Sequence, residues 1–277
     1  MTAEEHLKSG DLSATLDALQ TQVRARASDP KLRIFLFQLL CVLGDWKRAI
    51  TQLKLCGELD AMAVPMAQTY REGIICEVYR EKVFSGDKEP LIFGEPQAWT
   101  ALLVEALKLQ AGGNAAAAAA LRTQAFEAAP ALGGELNGTR FDWIADADMR
   151  LGPMLEVVVN GKYFWMPFSV ISLLEAEPPE DLRDTVWTPV TITLQNGGNI
   201  VALIPTRYAG TATQDKDGLK LARATDWRDL GEDTFAGLGQ RLLATDAGDT
   251  ALMDLRSLKM DPLTGADASG GDSVGNG

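Results

Sequence analysis

Histidine is almost missing from this chain: among 277 residues only His6 occurs. That removes Ser-His-Asp and Cys-His nucleophilic catalysis and any histidine-built metal site. Cysteine is scarce as well. Cys41, Cys56 and Cys76 are odd in number and form no CxxC pair, which argues against a disulfide framework or a zinc site. They read as buried free thiols in a reducing compartment. No GxxxxGK[ST] run exists to cradle phosphates. Gly231 and Gly237-Leu238-Gly239 do not make a GxGxxG turn after a strand, so a Rossmann site is unsupported. No apolar run reaches the ~18 residues a membrane span needs. The opening residues, with Glu4, Glu5 and His6, do not read as a basic and then apolar leader.

Positive charge is in deficit too. Lys and Arg number 26 against 38 Asp and Glu, a net charge of −12. The deficit is uneven: residues 1–130 hold 14 against 16, and the remainder 12 against 22. Such a surface repels phosphate backbones and anionic headgroups, so neither nucleic acid nor membrane is expected as a partner. A basic or amphipathic protein segment is attracted instead. With 46% hydrophobic and 23% charged residues the composition is that of a globular protein, long enough for one large domain or two small ones.

The first half reads as helices. Leu12, Leu16, Leu19 and Val23 recur at helical spacing, as do Leu32, Phe35, Leu36, Leu39, Leu40 and Leu43, and again Trp99, Leu102, Leu103, Ala106 and Leu107. Asp29-Pro30 reads as a capped helix start, and Ala115–Ala120 as a helix of small residues. Gly10-Asp11-Leu12 and Gly44-Asp45-Trp46 lie 34 residues apart, and Gly112 falls two further periods on. The copy between them falls near Val78, where no Gly stands but an apolar pattern runs through Tyr70, Ile74, Val78 and Val83. This period of helix, Gly turn and helix is similar to the tetratricopeptide repeat.

Beyond Pro130 the pattern changes. Gly133-Gly134 and Asn137-Gly138 mark turns. Leu155, Val157 and Val159 alternate before Asn160-Gly161, and Tyr163-Phe164-Trp165 follow, a hairpin signature. Val190, Ile192 and Leu194, then Asn196-Gly197-Gly198, then Ile200–Ile204 predict a second hairpin. Short strands or helices are expected through Leu219–Ala224 and Leu252–Leu258. The expected fold is therefore α+β: a tetratricopeptide-like helical superhelix over residues 1–131, a mixed and mainly antiparallel β domain with short helices over 132–262, and a disordered tail over 263–277.

One cluster has the composition for chemistry. Asp142, Asp146 and Asp148, with Arg150 and Glu156 close by, suit either a divalent cation or acid–base work. Against that stands a structural reading, in which the aspartates satisfy loop N–H groups and pair with Arg150. Asp181-Leu182-Arg183-Asp184 reads as a local charge lattice. Arg and aromatic residues recur in the second half, among them Trp143, Trp165 and Trp227. Arg207, Tyr208, Arg241, Trp187 and Arg183 are the candidates for partner binding, since such residues dominate interface hot spots.

Several segments resemble ImpE/TagJ proteins: Leu36–Leu40 with Gly44-Asp45-Trp46, Asp142–Pro153, Gly161–Phe168, Asp181–Trp187, Ile204–Tyr208 and Gly239–Arg241. The DxDxRLGPxLE run from Asp146 to Glu156, holding Asp148, Arg150, Gly152 and Pro153, is the most specific. The likeness extends from about residue 10 to 260. It implies a cytoplasmic, non-enzymatic accessory protein of type VI secretion without a cofactor. Such proteins bind a helix of the small subunit of the contractile sheath and are thereby linked to the AAA+ ATPase ClpV. Left open beside it are a general tetratricopeptide scaffold for another peptide, a metal-dependent enzyme on Asp142, Asp146 and Asp148, and the oligomeric state.

Overall fold

The computed structural model describes residues 1–263. From residue 264 onward the expected disordered tail lies outside the described residues. Helices come first: α1 (Ala3–Ser9), α2 (Leu12–Ala25), α3 (Pro30–Val42), α4 (Trp46–Leu59) and α5 (Val64–Phe84). A two-residue strand β1 (Leu91–Ile92) precedes α6 (Ala98–Ala111) and α7 (Ala115–Ala128). Asp29 caps α3 by accepting the N–H groups of Lys31 and Leu32, with Pro30 at the first helical position.

Three helix pairs, α1–α2, α3–α4 and α6–α7, share one turn geometry. Gly10, Gly44 and Gly113 adopt left-handed φ values of 84°, 73° and 81°. That conformation lets the N–H of the following residue reach back five positions, from Asp11 to the His6 carbonyl at 3.0 Å, from Asp45 to Leu40 at 2.9 Å and from Asn114 to Leu109 at 2.9 Å. Each of these three residues then caps the next helix with its own side-chain oxygen, on Ala14, Arg48 and Ala117 respectively. The third marker is thus Gly113, not Gly112, whose φ is −76°. Near Val78, where the 34-residue count places a worn turn, the chain does not turn at all: α5 runs unbroken for 21 residues. Val78 is exposed, and the inward face is instead Tyr70, Gly73, Ile74, Glu77 and Arg80.

The helix-to-strand change falls between Ala128 and Gly134. There follow β2 (Gly134–Leu136), β3 (Thr139–Phe141), β4 (Ile144–Asp146), β5 (Met154–Val159), β6 (Lys162–Pro167), β7 (Ile171–Ala176), β8 (Trp187–Leu194) and β9 (Asn199–Pro205). After a single-turn helix α8 (Asp217–Lys220) come β10 (Thr225–Asp229), β11 (Phe235–Gly239), β12 (Leu242–Thr245), β13 (Gly248–Ala251) and β14 (Ser257–Met260). Nine strands form one sheet in the order β1-β6-β5-β9-β8-β7-β14-β2-β3. β10–β11 and β13-β12-β4 form two smaller sheets. Asn160-Gly161 turns β5 into β6 and sets Val159 opposite Lys162. The second expected hairpin is β8–β9, with Ile192 opposite Ile200. Pairing is antiparallel except where β1, from the helical half, lies parallel to β6 at the sheet edge.

The core does not divide where the secondary structure does. One apolar cluster joins Phe37, Leu40, Ile74 and Trp99 on the helices to Trp165, Trp187 and Leu203 on the sheet. A second fills the other sheet face with Leu155, Val157, Ile192, Ile204, Leu243 and Leu258. α5 can lie close on the sheet because Gly73 is where it crosses: a Cβ there would sit 3.5 Å from the Trp187 ring and 3.6 Å from Leu203.

The turns are not equivalent in their surroundings. A Cβ at Gly44 would stand 2.7 Å from the Ala212 Cβ, whereas one at Gly113 meets nothing within 4 Å. Gly113→Ala is expected to cost about 1 kcal/mol through its left-handed backbone alone. Gly44→Ala is expected to cost at least about 1 kcal/mol more through the clash. Denaturant titration of both variants reads the difference; equal losses would contradict the close seating of the α3–α4 turn on the sheet half.

Candidate functional site

On β5 the alternation of side chains sends Leu155, Val157 and Val159 into one core and Met154 and Val158 into the other, against the helices. Glu156 shares the helix-facing side and is fully buried. A carboxylate taken out of water there requires charged partners and a full set of donors. Arg80 supplies two, Nε at 2.6 Å from Oε1 and Nη2 at 2.8 Å from Oε2. Tyr163 donates its hydroxyl to Oε1, and Arg241 donates Nη2 to Oε2. The Trp165 indole N–H in turn holds the Tyr163 oxygen at 2.8 Å.

The network spreads from this carboxylate. Arg241, buried at the bend between β11 and β12, gives Nη1 to Asp146 and Nε to the Pro205 carbonyl at 2.9 Å. Asp146 also accepts the Asp148 N–H at 2.8 Å. Asp148 is bridged by Arg150 through Nε at 2.9 Å and Nη2 at 2.5 Å, and it accepts the Gly237 N–H at 3.0 Å. Arg80 turns its remaining N–H groups to Glu77 at 3.3 Å and to the Arg207 carbonyl at 2.9 Å. Arg207 donates to the Val42 and Cys41 carbonyls at 2.8 and 3.3 Å, so its charge sits on the C-terminal end of α3, where the helix dipole favours a cation. Four arginines (80, 150, 207 and 241) thus stand among four carboxylates (77, 146, 148 and 156).

These surroundings separate the acids. Burial alone would raise Glu156, but Arg80 and Arg241 and the donated hydrogen bonds outweigh it and hold the carboxyl at about 2. Asp146 goes the other way, up to about 7, because burial and the nearby Asp148 and Glu156 charges outweigh Arg241. Burial also raises Glu77.

The DxDxRLGPxLE run is therefore a tight loop feeding this network. An Asp146–Gly152 bridge closes its base, with the Asp146 N–H 2.6 Å from the Gly152 carbonyl. Gly152 has φ 52°, and the Phe126 ring of α7 occupies the space a Cβ would take. The Pro153 carbonyl accepts the Phe168 N–H at 3.1 Å. Asp142 is exposed, and no group of His, Cys, Asp or Glu among the described residues is placed to hold a metal ion. The proposed Asp142, Asp146 and Asp148 cation centre is not formed, because Arg241 and Arg150 occupy the second and third of these carboxylates.

The partner-binding candidates need a correction. Trp187, Arg207, Tyr208 and Arg241 are buried, between 0% and 5% exposed, and are not available to a partner. Arg207 and Arg241 are held inside because backbone carbonyls and carboxylates neutralise and saturate them. Trp187 packs between Trp46 and Tyr70 with ring centroids 6.1 and 5.6 Å away. The Tyr208 hydroxyl is tied to the Leu242 backbone. Arg183 alone of the five keeps a partly exposed side chain, paired with Asp181 and lying 4.7 Å over the Tyr70 ring. Among the tryptophans, Trp143 and Trp227 are the exposed ones. Sequence reasoning missed Arg80, Glu77 and Tyr163. The available signal was two charges, Glu77 and Arg80, at helical spacing from Ile74 on a face that is otherwise apolar.

The ImpE protein family model matches residues 138–259. The type VI secretion system accessory component TagJ of Pseudomonas aeruginosa is 54% identical over 262 residues, which cover 95% of this chain and 92% of that protein. The chain belongs to the ImpE/TagJ family. The crystal structure of protein VPA1032 from Vibrio parahaemolyticus is similar throughout, with a TM-score of 0.86 at 27% identity over 94% of this chain and 98% of that one. The ImpE match holds every sheet-side member of the ion network, from Asp146 to Arg241, but begins well after Arg80. The helix that closes the network in this ImpE/TagJ chain thus comes from outside the family model.

Asp146 gives the network a pH signature. Its folded-state carboxyl titrates above the usual 3.8, so the folded chain keeps this proton after the unfolded chain has lost it. Stability from this residue is greatest below about pH 4 and declines as pH rises to about 7. Glu156 acts oppositely and below that window, losing stability as pH falls from about 4.5 towards 2. Asp146→Asn should therefore flatten the decline between about pH 4.5 and 7. Urea titrations across that range measure it; parallel profiles for wild type and variant would contradict the assignment.

Proposed function

We propose that this chain is a non-enzymatic accessory factor of type VI secretion that acts in the cytoplasm. In this reading it holds a helix of the small contractile-sheath subunit and links the sheath to disassembly by ClpV. The observation that carries the proposal is the 54% identity to TagJ, a type VI secretion accessory component, maintained over 95% of the chain.

Three features support the reading. The acidic balance of the second half attracts a cationic partner segment and steers its approach. The paired helices α1–α4 and α6–α7, taken as tetratricopeptide-like units, make a rigid scaffold, and rigid scaffolds lose little freedom on binding. The ionisable groups of the buried network are engaged with one another. The crevice beside them, about 80 Å³, is bordered by Trp46, Glu77 and Arg207, and the two charged groups among these are already engaged, Glu77 by Arg80 and Arg207 by the Val42 carbonyl. Residues 1–131 and 132–262 act as one body in this proposal, because a single core crosses between them.

Calorimetry tests it directly. The purified chain is titrated with a synthetic peptide of the sheath-subunit helix at low salt. A dissociation constant in the micromolar range or tighter is expected, and absence of binding heat at several temperatures would sink the proposal. ClpV is expected in pull-downs with this chain only when the sheath subunit is also present.

A further inference from the structure

The helix-facing side of the large sheet is not wholly covered. Trp187, Pro189 and Thr191 alternate along that side of β8, and Val201 lies beside Thr191 on β9. α5 covers the Trp187 end, where Gly73 lets it approach. Beyond Tyr70 the covering stops. Pro189 and Thr191 are exposed, and Val201, in the middle of the sheet, is 73% exposed. A branched apolar side chain on a central strand normally lies under another element. Here it floors an open groove of about 420 Å³.

The groove has a firm outer wall. Glu177-Pro178-Pro179-Glu180 runs along it, and two consecutive prolines fix the backbone. Asp184 locks the wall by accepting the N–H groups of Glu180 and Asp181, each at 2.8 Å. Thr185 closes the next turn on the Leu182 carbonyl at 2.7 Å. A wall already ordered costs a partner little entropy on binding.

The uncompensated charge in this groove has one sign. Glu175, Glu177 and Glu180 are exposed around it and have no cationic partner among the described residues. Arg183 is the only cation in the described lining, and it is spent on Asp181 and on the Tyr70 ring. An acidic rim around a floor of Val, Pro and Thr complements lysines or arginines that flank small apolar side chains. Their aliphatic stems lie on the floor and their charged ends reach the carboxylates.

We propose that the groove between Tyr70, the Glu177–Asp184 wall and Val201 is the docking site for a basic amphipathic segment of a partner protein. Resting on the functional reading above, that segment belongs to the small sheath subunit. The surface differs from the residues that sequence reasoning put forward: of those five, only Arg183 borders it.

The test uses the full chain and the intact small sheath subunit of the same secretion system. Binding is measured for wild type, for the triple variant Glu175→Lys, Glu177→Lys, Glu180→Lys, and for a control triple, Glu58→Lys, Glu95→Lys, Glu127→Lys. The control changes net charge equally at exposed sites outside the groove. Wild-type affinity should fall as NaCl rises. The groove triple should lose about tenfold or more at low salt, with the control within about threefold of wild type. Because all six positions are exposed, circular dichroism and the unfolding midpoint should be unchanged. Wild-type binding that the groove triple leaves intact, or that is insensitive to salt, overturns the groove and spares the accessory role. Failure of the wild type to bind the subunit overturns the accessory reading and the groove with it. Self-association of the wild type, abolished by the groove triple in sedimentation, would assign the groove to a second copy and overturn the proposal.

Discussion

A carboxylate with no access to water sits where the helices meet the sheet, and the rest of the fold is arranged to satisfy it. Glu156 takes four donors on two oxygens, from Arg80 on α5, Tyr163 on β6 and Arg241 at the β11–β12 bend. Removing any one leaves charge or lone pairs uncompensated in a low-dielectric core, a loss of several kcal/mol. The arginines it recruits carry the constraint outward, Arg241 to Asp146 and Arg80 to the backbone of Arg207. Arg207 continues to the end of α3. Three elements distant in sequence are thereby fixed in one orientation.

This arrangement explains how the most recognisable stretch of sequence and the surface that meets a partner come to be different places. The Asp146–Glu156 run consists of loop closures and buried ion pairs. Its charges are consumed internally, so a partner feels the acidic rim of the sheet instead. The −10 excess of the second half is therefore not all interaction surface. Among the acidic residues that do face solvent are Glu175, Glu177 and Glu180 around the Glu177–Asp184 wall.

Much of the architecture was legible in sequence, for local reasons. Gly-Asp turns, Asp29-Pro30 and Asn160-Gly161 each act within a few residues of themselves, so helix starts, helix pairs and hairpins followed from them. The 34-residue count failed where no local marker enforced it. α5 runs straight past Val78, and Gly113 displaces Gly112 because the left-handed position lies directly before the capping Asn114. The site was less legible, because partners such as Arg80 and Glu156 lie 76 residues apart. Arg207, Tyr208 and Arg241 have the composition of an interface hot spot, and nothing local distinguishes an arginine that meets a partner from one that caps a buried helix end. The difference lies in the carbonyls of Cys41 and Val42, which only the tertiary fold brings near. The parallel pairing of β1 with β6 was equally hidden, since two residues carry no periodicity.

Arg80 and Glu156 act as a coupled pair across the helix–sheet junction. A double-mutant cycle with Arg80→Met, Glu156→Gln and the combined variant, read by denaturant titration at neutral pH, measures that coupling directly. An interaction energy of about 1.5 kcal/mol or more is expected, with the double variant losing less than the two single losses combined. Losses that add to within about 0.5 kcal/mol would contradict it.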